Sequence, residues 1–183
     1  MRKFSFKKID AFATINSEGN PAGAVYLNSQ QDISEEDMQR IARELKGFVS
    51  EVGYIAPLDE NIFHLRYYSS EREVAFCGHA TVGIMYDLIK HDQRLLKKER
   101  VNIVTNKGTL PVENRIQQED AVFITAPKPG FTPVKLSNSQ IAGALNIAPD
   151  AINSDFSVSI INAGLETLLV PIRRLQAILA IAP

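Results

Sequence analysis

One segment limits the folds open to this chain more than any other: Glu73-Val-Ala-Phe-Cys-Gly-His-Ala-Thr-Val-Gly-Ile-Met-Tyr-Asp87. It passes from a short extended piece, through Cys77, Gly78, His79, Ala80 and Thr81, into an apolar run that reads as a helix over residues 78–91. Ala80, Val82, Ile84, Met85, Tyr86, Leu88 and Ile89 fall on no single stripe of that helix; they go nearly all the way round. A helix apolar on every face is buried on every face, so the rest of the chain has to wrap it. Its first turn presents N–H groups without intrahelical partners, backed by the positive end of the helix dipole. That end suits a carboxylate or phosphate. Gly78 would offer its N–H there, and His79 would bond a ligand oxygen.

The flanking sequence supplies the wrapping. Residues 3–14 alternate apolar and polar, as a half-buried strand does. Gly19-Asn20-Pro21 carries turn chemistry, and Ala24 to Leu27 reads as a short returning strand. Ser34 followed by Glu35, Glu36 and Asp37 opens a capped helix. Met38, Ile41, Ala42 and Leu45 line one face of it, which places it outside the sheet. Residues 50–55 and 61–69 read as strands, with His64 and Arg66 on one face. After the 78–91 helix, residues 100–106 and 109–113 form a hairpin at Lys107-Gly108, and residues 120–125 form a further strand. Pro127, Pro129, Gly130 and Pro133 shift the composition towards loop. A capped helix over 137–145 and strands over 156–162 and 166–171 follow. Strands outnumber helices and the connections are mixed, so the fold class is α+β.

The chain is expected to divide into a first domain, residues 1–114, and a partial second domain, residues 115–183. The second has too few elements to close a core of its own. It leans on the first, or a partner completes it, or the chain is a fragment. Phe156, Val158 and Ile160 sit on apolar strand faces that need cover, which predicts a homo-oligomer, a homodimer in the simplest case.

Composition removes several function classes. The 183 residues are 45% apolar and 22% charged, with a net charge of −1, so nothing favours nucleic acid or an anionic membrane surface. No apolar run reaches bilayer length. The single cysteine precludes an intrachain disulfide and fits a reducing, cytoplasmic setting. No paired Cys/His spacing marks a metal site, and neither a P-loop nor GxGxxG is present; no cofactor is expected. Cys77 reads as a small buried residue, and a racemase using two thiols of one chain is excluded by the count. Arg66 reads as a structural ion-pair partner.

Asp10-Ala-Phe12, Gly19-Asn-Pro-Ala22, Ser50-Glu51, Arg66-Tyr-Tyr68 and Glu73 to Thr81, in this order and at these spacings, resemble the PhzF-like family. These proteins are related to the phenazine biosynthesis isomerase and share the diaminopimelate epimerase-like fold. The Cys-Gly-His-Ala-Thr run is the most specific of the motifs, and the likeness is strongest over residues 1–112. It implies two similar domains, each a mixed sheet curled around a central helix, the second incomplete here. It also implies that Glu51 matches the family's acid/base carboxylate; its sequence neighbours Phe48, Val49, Val52 and Tyr54 are expected to supply an apolar wall. By the same likeness His79 and Gly78 hold the substrate and Asn20 lines the cleft. The implied activity is a cofactor-independent isomerisation by acid/base proton transfer on a small carboxylate-bearing substrate. Members are longer, and their second domain brings an acidic residue and a Gly-Ser loop that nothing in this sequence matches. The alternative is therefore a truncated, non-catalytic binding or interaction protein of the same fold.

Overall fold

The computed structural model describes residues 3–182. The chain forms two compact units that divide between Pro127 and Lys128.

The first unit contains β1 (Ser5–Ala11), β2 (Asn20–Tyr26), α1 (Glu35–Glu44), β3 (Glu51–Asp59), β4 (Ile62–Ser69), β5 (Glu73–Val74), α2 (Gly78–His91), α3 (Gln93–Leu96), β6 (Arg100–Thr105), β7 (Gly108–Arg115), α4 (Ile116–Glu119) and β8 (Ala121–Ile124). Seven strands run in the order β1-β2-β3-β4-β6-β7-β8, and β5 pairs with β4. Two neighbouring pairs, β2/β3 and β4/β6, are parallel. Parallel neighbours need a crossover, and α1 and α2 supply these two. β8, which lies beyond residue 114, pairs antiparallel with β7 in this same sheet.

The sheet curls around α2. The helix touches β1 and β8, the two ends of the strand order, as well as β2 and β3. Strand alternation sends Ala22, Ala24, Ile55, Leu65, Tyr67, Val101, Ile103 and Val112 to the inner face, against Ala80, Ile84, Met85 and Ile89 of the helix. The opposite parity sends Val25, Val52, Tyr54, Ala56 and Tyr68 to the outer face, beneath Met38 and Ala42 of α1. Tyr54 donates its hydroxyl to the Met38 carbonyl at 2.7 Å. Within α2, Val82, Tyr86 and Leu88 are only half-buried, so the burial is not uniform round the helix. Two glycines allow the closest approaches. A Cβ on Gly53 would fall far inside van der Waals contact with Ile84 Cδ1, and one on Gly83 would lie 2.9 Å from Ile9 Cγ2.

The second unit contains β9 (Gly130–Thr132), α5 (Asn138–Ala144), β10 (Ser159–Asn162), β11 (Glu166–Leu169) and α6 (Leu175–Leu179). Its sheet is antiparallel in the order β11-β10-β9. Ser137 and Gln140 close a capping box on α5. The core is small: Ile141, Ala142 and Ile152 are buried, with Val134, Leu145, Ile147, Val158, Val170 and Ile172 packed around them. Phe131, Phe156, Leu168, Leu169 and Leu179 are exposed.

Candidate functional site

Glu51 opens β3, and its parity with Gly53 and Ile55 turns it to the inner face. The same alternation corrects the expected wall. Val52 and Tyr54 pack on the outer face with Val49, and Phe48 is exposed. The groups that meet Glu51 come instead from the start of α2.

Cys77 is the N-cap of that helix, and Gly78 and His79 are its first two residues. Two hydrogen bonds fix this end. Thr81 Oγ1 donates to the Cys77 carbonyl at 2.6 Å, and Tyr67 Oη bonds Thr81 Oγ1 at 2.6 Å. Thr81 is fully buried and Tyr67 nearly so. Both residues lie within sequence motifs, Tyr67 in Arg66-Tyr-Tyr68 and Thr81 at the end of Cys77-Gly-His-Ala-Thr81, but their positioning role shows only in the folded chain. Further along, Asp87 accepts hydrogen bonds from the Tyr26 hydroxyl and from Lys7 Nζ, tying α2 to β1 and β2.

The structure brings Glu51 and His79 together. Glu51 Oε2 lies 3.3 Å from His79 Nε2, with side-chain exposures of 23% and 13%. Both atoms are buried, and neither makes a hydrogen bond among the described residues. They stand at ion-pair distance without hydrogen-bond alignment. Buried polar atoms ordinarily have partners, so a pair that lacks them marks this spot.

Cys77 joins the pair from the other side of the imidazole: its Sγ lies 3.4 Å from His79 Nδ1. Donor atoms of Glu51, Cys77 and His79 all fall within 4.8 Å of one another. Burial pushes the Cys77 thiol up to about 12; the Ala80 amide draws it back, while the charge of Glu51 and its hydrogen bond to the thiol add to the rise. Near neutrality the group is a thiol. The arrangement superficially matches a Cys–His–Glu nucleophile triad, but a nucleophilic cysteine needs its thiolate.

Asn20 stands at the start of β2, on the same parity as Ala22, which pairs with Glu51 across the strands. It is exposed and accepts from the Ser50 hydroxyl at 3.3 Å. The amides of Gly78 and His79 belong to the first helical turn, where no intrahelical carbonyl takes them. No left-handed backbone angle requires glycine at 78, and a Cβ there would meet nothing nearer than Phe76 Cε1 at 3.9 Å. The space beside it is open. A hollow of about 620 Å³ lies elsewhere, lined by Glu99, Arg100, Glu113, Arg115 and Glu119, but both of these arginines are taken, Arg100 by Glu113 and Arg115 by Glu113 and Glu119. Arg66 is likewise taken, by Glu35 at 2.9 Å and Glu73 at 2.7 Å.

Comparison with known proteins follows this geometry. The model of a family described as phenazine biosynthesis-like protein, PhzC-PhzF, matches residues 9–183. The uncharacterized isomerase YfhB of Bacillus subtilis is 31% identical over 180 residues, covering 97% of this chain and 59% of that protein. Trans-2,3-dihydro-3-hydroxyanthranilate isomerase of Pseudomonas fluorescens is 28% identical over 177 residues, covering 96% and 59%. Among solved structures, the Bacillus anthracis phenazine biosynthesis protein of the PhzF family superposes with a TM-score of 0.72 at 25% identity. It covers 100% of this chain and 60% of its own. The chain thus spans about 60% of the length of these relatives.

Proposed function

Because the chain belongs to the PhzC-PhzF, phenazine biosynthesis-like family, we propose that it is the part of an isomerase that carries the acid/base carboxylate, Glu51. The observation that carries this reading is the Glu51–His79 pair, whose buried facing atoms Oε2 and Nε2 lie 3.3 Å apart with no hydrogen-bond partner among the described residues. Groups left unpaired in a low-dielectric setting are held ready for a ligand. Glu51 takes a proton from a carbon of the substrate and returns it elsewhere. His79 and the first amides of α2, from Gly78 onward, hold the anionic oxygen as enolate-like charge develops. Asn20 lines the approach.

The substrate class is a small carboxylate. The helix start favours an anion, and the hydroxyanthranilate named for the Pseudomonas relative is one such molecule. Organic cofactors have no role in this proton transfer. The buried, protonated thiol of Cys77 leaves the carboxylate as the base.

The test is deuterium exchange. The chain is incubated in D₂O with trans-2,3-dihydro-3-hydroxyanthranilate and related small carboxylates, and incorporation at carbon is followed by NMR. A version extended to the length of the relatives runs beside it. Glu51→Gln should lower exchange by about 10²- to 10⁴-fold, the usual contribution of a positioned acid/base, while His79→Ala also weakens ligand binding. Wild-type exchange unchanged in Glu51→Gln refutes the assignment. Absence of exchange in both lengths favours the non-catalytic binding protein.

A further inference from the structure

We propose that Glu51, Cys77 and His79 form a binding site for one thiophilic divalent cation, Zn²⁺ being the best match. Carboxylate, thiolate and imidazole would fill three positions and water the fourth. The donor set is borderline-soft, which selects zinc-like ions over Mg²⁺ or Ca²⁺.

Geometry supports this first. A tetrahedral centre with metal–ligand distances of about 2.0–2.3 Å has ligand–ligand edges of about 3.3–3.6 Å. Nε2–Oε2, at 3.3 Å, is already such an edge; the 3.4 Å from Cys77 Sγ runs to the other ring nitrogen, Nδ1, so the thiol has still to swing towards a centre bound through Nε2. One ring nitrogen binds the metal, and the three donor atoms already lie within 4.8 Å of one another. Side-chain rotation closes the rest, because none of the three is tied by a strong bond elsewhere. Second, Glu51 Oε2 and His79 Nε2 are buried without hydrogen bonds, and a cation would satisfy both. Third, the charges cancel. Binding displaces the thiol proton of Cys77 to solvent, and one carboxylate and one thiolate then neutralise a dication beside a neutral imidazole. A buried anion pair that would be costly alone becomes neutral.

Sequence spacing could not show this site. Cys77 and His79 are two residues apart, but Glu51 arrives from β3, and no familiar ligand pattern results. The consequence for activity is inhibition: a cation there occupies the proton-transfer pair. That consequence rests on the reading of Glu51 as acid/base group, whereas the binding itself does not.

The experiment uses the tag-free, reduced, chelator-treated 183-residue chain, with Co²⁺ and Zn²⁺ as probes. Co²⁺ should give a saturable one-to-one spectrum, with a thiolate charge-transfer band in the near ultraviolet and visible bands of tetrahedral intensity. Zn²⁺ should displace it and Mg²⁺ should not. Cys77→Ser should abolish the charge-transfer band, and Glu51→Gln and His79→Ala should each weaken Zn²⁺ by about tenfold or more, as loss of a donor does. Stoichiometric Zn²⁺ should also raise the urea midpoint of the wild type, because it binds the folded state alone. That measurement decides the matter should a variant fail to fold. Lack of a saturable cobalt spectrum, a spectrum unaltered in Cys77→Ser, or displacement by Mg²⁺ overturns the proposal. A positive metal result with no deuterium exchange in any form would leave the cation site standing while the isomerase reading fell.

Discussion

The tightest contact between sheet and central helix offers a direct test of the wrapped fold. Ile84 is fully buried, and its Cδ1 occupies the space a Cβ on Gly53 would need. Gly53→Ala therefore overpacks the core, at a cost of about 1–3 kcal/mol. Part of this is offset by about 0.4–1 kcal/mol, because alanine restricts the unfolded chain more than glycine does. Ile84→Val removes Cδ1 and alone costs about 0.5–1.5 kcal/mol. In the double variant the new methyl enters the vacated space. The two costs should then fail to add by about 0.5–3 kcal/mol, the range for residues in contact. Urea unfolding followed by tyrosine emission is the suitable assay. The chain has five tyrosines and no tryptophan; all five lie at or before Tyr86, so the signal reports the first unit alone. Midpoints are comparable provided the slope is unchanged. Additive costs would mean that Gly53 and Ile84 do not touch, and the sheet would not be wrapped around α2 as described.

The same assay separates Ile84→Ala, expected to cost about 2–5 kcal/mol as a buried large-to-small change, from Leu88→Ala; half-buried Leu88 should cost clearly less, and equal costs would contradict the burial pattern of α2. For Glu73, burial works upward but is outweighed by hydrogen bonds from Arg66 and Asn106, leaving its pKa below the ordinary 4.5. A carboxylate depressed in the folded state stabilises it above the unfolded value, and this contribution is lost as pH falls through the folded value. The urea midpoint should drop below about pH 4.5, and Glu73→Gln should flatten that fall; an identical acid limb in the variant would show that Glu73 is not a contributor. Cys77, 7% exposed and with its thiol pushed up, should react with iodoacetamide far more slowly than a free thiol at neutral pH and catch up across the tyrosine unfolding transition; rapid labelling of the folded chain would contradict its burial. Leu168 and Leu169, exposed on the edge strand β11, are expected to drive self-association, so sedimentation should show a dimer that Leu168→Glu disperses; a wild-type monomer at high concentration would refute this.

How much of this was legible in the sequence follows from the range of each interaction. Helix α2 was readable to its ends, because its apolar run and its glycine junction are local signals. The strands β3, β4, β6 and β7 were readable from alternation, and the hairpin at Lys107-Gly108 from turn chemistry. What alternation cannot say is which strand a four-residue segment will join. β8 has a single buried residue, Val122, and its place beside β7 is decided by long-range pairing. β9 lay hidden among prolines that read as loop. The apolar wall assigned to Glu51 failed for an equally physical reason: sequence neighbours in a strand point to opposite faces. Cys77 reads as a small buried residue, and it is buried; that it also meets Glu51 depends on where β3 lies, which no local signal shows.

The unpaired state of the Glu51–His79 pair also explains how the site is maintained. The facing atoms of the pair make no hydrogen bond among the described residues, so their approach is set by the backbones that carry them. Tyr67 and Thr81 anchor the first turn of α2, Asp87 anchors its middle through Tyr26 and Lys7, and Gly53 and Gly83 let the sheet close on it. With both backbones fixed, the carboxylate and the imidazole meet without any bond between them holding them there. This division of labour separates two kinds of position. Residues that build the frame are costly to change wherever they lie, as buried packing and buried hydrogen bonds are. Between Glu51 Oε2 and His79 Nε2 there is no such bond to lose; outside their pair these side chains bond, among the described residues, only the Cys77 thiol. Held at 3.3 Å by the residues that build the frame, the pair has the arrangement that the proposed acid/base role asks for.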